Sequence, residues 1–503
     1  HAEEADFLAS ATGFDAVQGS AFGGFSELLG ETPAEYPRTG PRNPYDEDLL
    51  SGDVVGVLPV EDGTATLATL LTNREETPRN EALDAVRTAT DRDDAELEHA
   101  AEAQVDHPAD ADLPHAAAVA TDRRVLSLLA GRSGLRIAAP DFDPYYAHSG
   151  GYGYTWFRDD AEISRFLLEA DRHFNLGLDD WHDRSAAAYA ETQLDDGTWP
   201  HRVWPFDASL APGWANGRKE AGDGLNYQAD QTGSAAAYLA AYDGGERRAD
   251  ALERALDGLD ATLADDGRPV ACQNAWEDMS GRFAHTAATF LEAYSALAAT
   301  DHSGVADRAA DRADEVYDAL DDLWIADRGV YALREYADAG EDDGDLDERL
   351  DSATLALAGA HRAYDRVGDV DEERLDRLVS HVETVVDGLY RDPDGPVAGI
   401  ARYEGDTWRQ RDQDGEKIWT VSTAWGANAA GTLAATLADR GDDRAETMAA
   451  TARDLLALVL PDGPLCLDSG YLPEQVFDDG TPDSATPLGW PHALRLATVA
   501  LLD

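Results

Sequence analysis

Lysine is nearly missing from this 503-residue chain: Lys219 and Lys417 are the only two, so almost all of its 40 basic residues are arginine. Against them stand 100 aspartates and glutamates, for a formal net charge of −60 and a pI near 4.2. A chain this acidic repels nucleic-acid phosphates and anionic lipid, which excludes both as partners. Cysteine is as scarce, with Cys272 and Cys466 alone. Two cysteines make no disulfide framework, and these lack metal-ligand spacing; they are expected as buried free thiols. No apolar run approaches the roughly eighteen residues needed to span a bilayer. Signatures of other chemistries are missing as well: no HExxH, no G-x-S-x-G, no phosphate or dinucleotide loop, and no ligand spacing among the 13 histidines. The run EDDGDLDE at 341–348 lacks the residue order of a calcium loop and reads as solvated acid. Neither a metal nor a cofactor is expected.

What is present is a large core in the making. Hydrophobic residues make up 43% of the chain, and the charges are interleaved with Ala, Leu and Val at helical spacing, which is not the pattern of disorder. Acid excess with lysine depletion resembles the proteins of salt-accumulating halophiles. At molar salt the Debye length falls to roughly 3 Å, which screens the self-repulsion of such a surface. The expected location is the cytoplasm of such a cell. The chain begins at His1 and not at Met, so secretion after removal of a leader stays open.

From residue 112 onward the periodicity predicts twelve helices, near 112–131, 158–174, 178–194, 229–243, 248–265, 281–299, 303–325, 346–367, 371–390, 420–440, 444–460 and 486–502. Many begin with Asp, Ser or Thr, as helix caps do. Connections after the even-numbered helices are short, and those after the odd-numbered ones are long. Helices joined by short turns are antiparallel neighbours, so all six long loops emerge at one end. That describes an (α/α)6 toroid with a pocket at its mouth, a mostly α fold spanning 112–503. The rival arrangement is an α-solenoid, but helix spacing is irregular and no repeated signature is present. Residues 1–111 differ: VVGVLPV (54–60) and TATLATLLTN (64–73) read as strands, DDAELEHAAEAQV (93–105) as a helix, and 20–48 as loop. This is a small, partly β N-terminal region.

The long loops hold the chemistry. The first contains GGYGYTWFRDD (150–160), which crowds Tyr152, Tyr154 and Trp156 against Arg158 and Asp159. Aromatic faces beside a fixed charge pair suit a sugar, although Asp159 or Asp160 could instead cap the following helix. The second holds Trp199, Trp204, Phe206, Trp214 and Tyr227; the third holds Trp276, Glu277 and Asp278. A glutamate packed by tryptophan is an arrangement that raises a carboxyl pKa. The fifth supplies Arg402, Tyr403, Asp406, Trp408 and Trp419, and the sixth supplies Tyr471, Glu474, Trp490 and His492. All eleven tryptophans lie after residue 150, most of them in or beside these loops. In a closed ring the third and sixth loops face each other, so Glu277 and Glu474 stand on opposite walls. A carboxyl pair spaced about 6.5–9.5 Å apart admits a water between base and sugar and inverts the anomeric centre.

In this order, YGYTWFRD, NAWED, ARYEGDTW…IWTVSTAW and YLPEQ…TPLGWPHA resemble the glucoamylases of glycoside hydrolase family fifteen over about residues 112–503. The resemblance implies that Glu277 is the general acid and Glu474 the general base. It implies that Arg158, Asp159 and Arg402 bind hydroxyls of the terminal glucose, with Tyr152, Trp156 and Trp276 shaping that subsite and Trp214 helping to hold the acid. Asp278, Tyr403 and Trp490 complete the candidate substrate-binding set. The implied activity is exo-hydrolysis of α-glucosidic bonds in α-1,4-glucans or maltooligosaccharides, releasing β-glucose by inversion. Prokaryotic relatives usually carry a large β-sandwich before the toroid, and this N-terminal region is much shorter. Trehalose or α-1,6 linkages as substrate, a phosphorylase on a related toroid, and a non-catalytic glucan-binding protein remain as alternatives. The last would leave the two opposed glutamates idle.

Overall fold

Residues 4–20, 53–74, 77–104, 113–140, 151–211, 228–242, 246–337 and 343–503 are described by the computed structural model of the protein. They fall into two units, His1–Asp106 and His107–Asp503.

In the first unit, strands β1 (Glu4–Ser10) and β4 (Leu67–Asn73) pair antiparallel, as do β2 (Ala16–Ser20) and β3 (Asp53–Val57). Exposed and half-buried residues alternate along β4, as expected of a ladder with one covered face. Helix α1 (Arg79–Thr90) packs on β1 and β4 and buries Ala82 and Val86, four apart on one face. Helix α2 (Asp94–Gln104) opens with a capping box: Glu96 N donates to Asp93 Oδ1 at 2.9 Å, and Asp93 N donates to Glu96 Oε2 at 3.2 Å. The strands expected over 54–60 and 64–73 and the helix over 93–105 are present. Sequence reading had not anticipated β1, β2 or α1. The loop expected over 20–48 lies outside the described residues, apart from Ser20 at the end of β2.

In the second unit the described residues form twelve α-helices. They are α3 (Ala116–Leu129), α4 (Phe157–Phe174), α5 (Asp179–Thr192), α6 (Asp230–Ala241), α7 (Glu246–Asp260) and α8 (Ala284–Ala298), then α9 (Ser303–Ala319), α10 (Leu357–Tyr364), α11 (Glu372–Leu389), α12 (Thr420–Asp439), α13 (Arg444–Val459) and α14 (Gly489–Leu502). Helices α4, α6, α8, α10, α12 and α14 pack in succession, and α14 closes on α4. Their composition explains why they are inside. Every residue from Asp230 to Ala240 in α6 and from Thr420 to Ala434 in α12 is buried, and most are Ala, Gly, Ser or Thr. Small side chains let neighbours approach; a Cβ on Gly233 of α6 would sit 2.8 Å from Thr289 Oγ1 of α8. The other six helices bury one stripe only. Helix α9 buries Val305, Ala309, Ala313, Val316 and Tyr317 and turns its aspartates and arginines outward. The fold is the (α/α)6 toroid that the alternation of loop lengths implied.

All six long connections, 130–156, 193–229, 261–283, 320–356, 390–419 and 460–488, lead into the N-terminus of an inner helix, which gathers them at one end of the ring. Several expected boundaries move because these loops carry short strands up to the helix. Ser280–Phe283 is a strand before α8, and the helix expected over 346–367 breaks into strand Leu346–Asp347, a 3-10 turn at Ser352–Ala356 and α10. Inner helices α4, α8, α12 and α14 start from extended Trp156, Phe283, Trp419 and Leu488 without side-chain caps, so not every helix follows the capping pattern, and neither Asp159 nor Asp160 caps α4. A cap does form at α11, where Asp371 accepts from Arg374 N at 2.9 Å. Within EDDGDLDE, Asp347 is buried and bound by Arg349 Nη2 at 2.7 Å, so that run is not uniformly solvated. Cys272 is buried and free as expected; Cys466 is free but only partly buried, 3.6 Å from Arg495 Nη1.

A buried ionic cluster ties the sixth loop to the ring. Arg495 of α14 donates to Asp122 of α3 through Nε at 3.0 Å and Nη2 at 2.6 Å, and to the carbonyls of Val459 and Gly470 at 2.6 and 3.3 Å. His492 binds Asp122 through Nδ1 at 2.6 Å and accepts from Leu472 N at Nε2, 3.0 Å away, which fixes its tautomer. Both side chains are fully buried. Arg495→Met leaves Asp122 without its guanidinium and is expected to cost about 3–5 kcal/mol. Thermal melting should show a midpoint lowered by several degrees; an unchanged midpoint would contradict this role.

Candidate active site

The first loop enters α4 through strand Thr155–Trp156, which pairs with Arg202–Val203 of the second loop. Arg158 and Asp159 therefore stand in the first turn of α4, at the mouth. Arg158 is 5% exposed and its guanidinium is shared. Nη1 donates to Gln228 Oε1 at 2.5 Å and lies 3.4 Å from Asp230 Oδ2, Nη2 donates to Glu277 Oε1 at 3.3 Å, and Nε lies 3.8 Å from Asp159 Oδ2. Burial lifts Asp159 to about 7 against the pull of Arg158, with the charges of Glu277 and Glu474 adding to the rise. Both glutamates thus act on this one carboxyl. Asp160 faces away, accepting from Arg136 Nη1 at 3.1 Å and Tyr189 OH at 2.8 Å, and is a structural residue rather than a cap.

In the third loop, strands Cys272–Gln273 and Ser280–Phe283 pair and present Trp276, Glu277 and Asp278 at their tip. Glu277 has φ of +66°, a left-handed conformation that costs a side-chain-bearing residue about 1–2 kcal/mol. Local bonds hold it there: Glu277 N donates to Asn274 O at 3.0 Å, Gln273 Nε2 donates to Glu277 O at 2.8 Å, and Asn274 Oδ1 accepts from Asp278 N and Met279 N, both at 3.1 Å. Burial pushes the Glu277 carboxyl up. The His201 hydrogen bond and the charges of His201, Arg158 and Arg202 outweigh it and hold the group below the usual glutamate value.

Beside it, Trp276 Nε1 donates to Asp351 Oδ1 at 2.8 Å, and burial lifts that aspartate to about 7. Asp278 Oδ2 accepts from Tyr403 OH at 2.8 Å and lies 3.0 Å from Arg402 Nη2. Arg402 in turn grips Asp406 with two bonds of 2.9 and 2.7 Å and lies over the rings of Tyr403 and Trp419, each 4.6 Å from the centroid.

The sixth loop joins the fifth through strands Gln475–Val476 and Ile418–Trp419. Thr420 N, opening α12, donates to Glu474 O at 2.8 Å. Glu474 Oε2 accepts from Tyr152 OH at 2.6 Å and Gln475 Nε2 at 3.2 Å. Burial pushes this carboxyl up, and the bonds from Tyr152 and Gln475 with the charge of Arg402 do not cancel it. The third and sixth loops thus both bind the 152–158 segment, Glu277 through Arg158 and Glu474 through Tyr152. Trp156 joins by the edge of His201, 5.1 Å between centroids. Trp490 joins through Trp425, at 5.1 Å, which lies 6.4 Å from Trp276. Tyr152, Trp156, Arg158, Asp159, Trp276, Glu277, Asp278, Arg402, Tyr403, Glu474 and Trp490 therefore belong to one contiguous network. Trp214 lies outside the described residues.

Sequence reading missed the partners that hold this set: His201, Gln228, Asp230, Asp351 and Trp425. Trp425 ends the quoted IWTVSTAW stretch without having been singled out, whereas Asp230 opens an inner helix and His201 follows a TrpPro pair in a loop, so no local pattern marks those two. Tryptophan enrichment overstated the site in two places. Trp199 is fully buried, donating to Tyr189 O at 2.9 Å, and Trp408 is 51% exposed. Among the described residues no group of three or more His, Cys, Asp or Glu side chains is gathered as metal ligands would be. Nor is any helix there long and apolar enough to cross a membrane.

A family model described as "Glycosyl hydrolases family 15" matches residues 123–500, and one described as "Domain of unknown function (DUF7997)" matches residues 1–82. No curated protein matches the chain. Among solved structures, a bacterial glucoamylase complexed with acarbose is similar at 17% identity and a TM-score of 0.63, covering 99% of this chain and 71% of that one. Hormoconis resinae glucoamylase is similar at 17% identity and a TM-score of 0.57, covering 77% and 73% of the two chains. A glucoamylase from Saccharomycopsis fibuligera is similar at 16% identity and a TM-score of 0.55, covering 79% and 97%. At such identities these likenesses are likenesses of fold.

Proposed function

The chain belongs to glycosyl hydrolases family 15 and is a glycoside hydrolase, and from that premise we propose that it is an inverting, exo-acting α-glucosidase of the glucoamylase kind. Its substrates would be α-1,4-glucans or maltooligosaccharides, its product β-glucose from the non-reducing end. One observation carries this reading: carboxyls from the third and sixth loops, Glu277 and Glu474, are bound into one network with the 152–159 segment. Glu277 protonates the glycosidic oxygen while Glu474 draws a proton from the attacking water. Arg158, Asp159 and Arg402 hold sugar hydroxyls by charge-assisted bonds, and the aromatic rings of Tyr152, Trp156 and Trp276 shape the subsite.

The shifts of the two carboxyls run against these roles. Glu277 lies below the usual glutamate value and Glu474 above it. The working form, with Glu277 protonated and Glu474 ionised, is then the minority arrangement of the one proton the pair holds at intermediate pH. Activity still follows a bell. Its acid-side limb belongs to Glu277, below which both carboxyls are protonated, and its alkaline-side limb to Glu474, above which both are ionised. A pH profile alone does not assign the roles, whereas substitution does.

The experiment is glucose release by the full chain from maltotriose, isomaltose and trehalose in molar KCl, with and without phosphate. Preference for maltotriose without a phosphate requirement is the expected result. Preference for isomaltose or trehalose would move the activity to another linkage, and phosphate dependence would make it a phosphorylase.

A further inference from the structure

Both donors on Glu277 reach the same oxygen. Arg158 Nη2 and His201 Nε2 each lie 3.3 Å from Oε1, and Oε2 has no hydrogen bond to any described residue. His201 is 2% exposed. It precedes the Arg202–Val203 strand, its carbonyl accepts from Phe157 N at 3.2 Å, and its ring meets Trp156 edge-on. Second-loop backbone and first-loop aromatic together leave the imidazole one place to be. With Nε2 against a carboxylate, the ring donates from Nε2–H.

We propose that His201 is the positioning residue of the proton-donating carboxyl, fixing Glu277 Oε1 as the accepting oxygen so that Oε2 carries the proton to the glycosidic oxygen. The inference rests on the reading of Glu277 as general acid. A carboxyl whose one oxygen receives two donors bears its proton on the other. In the reaction that proton passes from Oε2 to the leaving oxygen as the C1–O bond breaks toward that oxygen. Water forms the new bond to C1, and Glu474 takes the proton that water loses. Glu277 is left ionised, with its charge on the oxygen that His201 and Arg158 already hold.

The charged groups facing Glu277 are His201, Arg158 and Arg202 on the positive side and Asp159 on the negative side. Removing the His201 donor takes away stabilisation of the ionised carboxyl, so its pKa rises and the acid-side limb of the profile moves to higher pH.

The test compares maltotriose with α-glucosyl fluoride, whose leaving group departs without being protonated. His201→Leu is expected to lower kcat on maltotriose about tenfold or more, with KM within about threefold. It should leave α-glucosyl fluoride hydrolysis within about threefold and shift the acid-side limb upward. His201→Gln, which keeps a donor, should recover most of the maltotriose rate, and melting curves report on folding separately. Equal losses on the two substrates, or no loss on either, would overturn the proposal. A parent enzyme inactive on both substrates would instead overturn the glucosidase reading itself, so the two failures are distinguishable.

Discussion

Glu474→Gln and Glu277→Gln are each expected to cut maltotriose turnover by a factor of about 10³ or more, with circular dichroism and melting close to the parent. Each substitution keeps the shape of the side chain. At position 474 the amide still accepts from Tyr152 but has no basic oxygen for the water proton. At 277 it still accepts from Arg158 and His201 but has no acidic proton to give. The two losses should differ in kind. With α-glucosyl fluoride the Glu277 variant should recover much of its rate and the Glu474 variant should not, because only the latter lacks the group that activates water. Retention of a tenth or more of the parental maltotriose rate by either variant would remove that residue from its role.

Arg158→Leu is expected to lower kcat/KM by about 100-fold or more. The guanidinium is the shared counter-charge of Asp159, Asp230 and Glu277, and its loss strands buried acids whose uncompensated charge costs about 3–5 kcal/mol. Part of that cost will appear as a lower melting midpoint. The catalytic part is distinguishable because Glu277, relieved of one cation, rises in pKa and the acid-side limb moves up with it. Arg158→Lys keeps the charge but not the fork that reaches both Gln228 and Glu277, and should recover stability more than activity. A kcat/KM within a few-fold of the parent in the leucine variant would show that the guanidinium serves packing alone.

The outline of the toroid was legible because its signal is repeated six times. Short turns after inner helices and long loops before them place every long loop at one end, whichever way individual boundaries fall. Those boundaries were less legible, since strands such as Ser280–Phe283 carry the chain into helices whose apolar pattern begins earlier. The site was legible where chemistry is local, as in Tyr152 to Asp159 and Trp276 to Asp278. It was not legible where a residue matters through a distant partner. Asp230 and Asp351 are two among a hundred acids, and only the closed ring shows that one binds Arg158 and the other Trp276. Nor did a tryptophan beside Glu277 predict the state of its carboxyl, because His201 and Arg158 reverse what burial alone would do. Likewise β1 and β2, although as long as β4 and β3, carry only Phe7 and Val17 as strand-favouring residues, and α1 is too polar to be read before its packing is seen.

The stereochemistry of the first product tests the central claim most directly. Maltotriose would be hydrolysed in molar KCl without phosphate, and the anomeric protons followed by NMR before mutarotation equilibrates the glucose. The account predicts that β-glucose appears first and the α-anomer only later. Early α-glucose would mean a retaining route, and would contradict the assignment of Glu277 and Glu474 as acid and base across an attacking water.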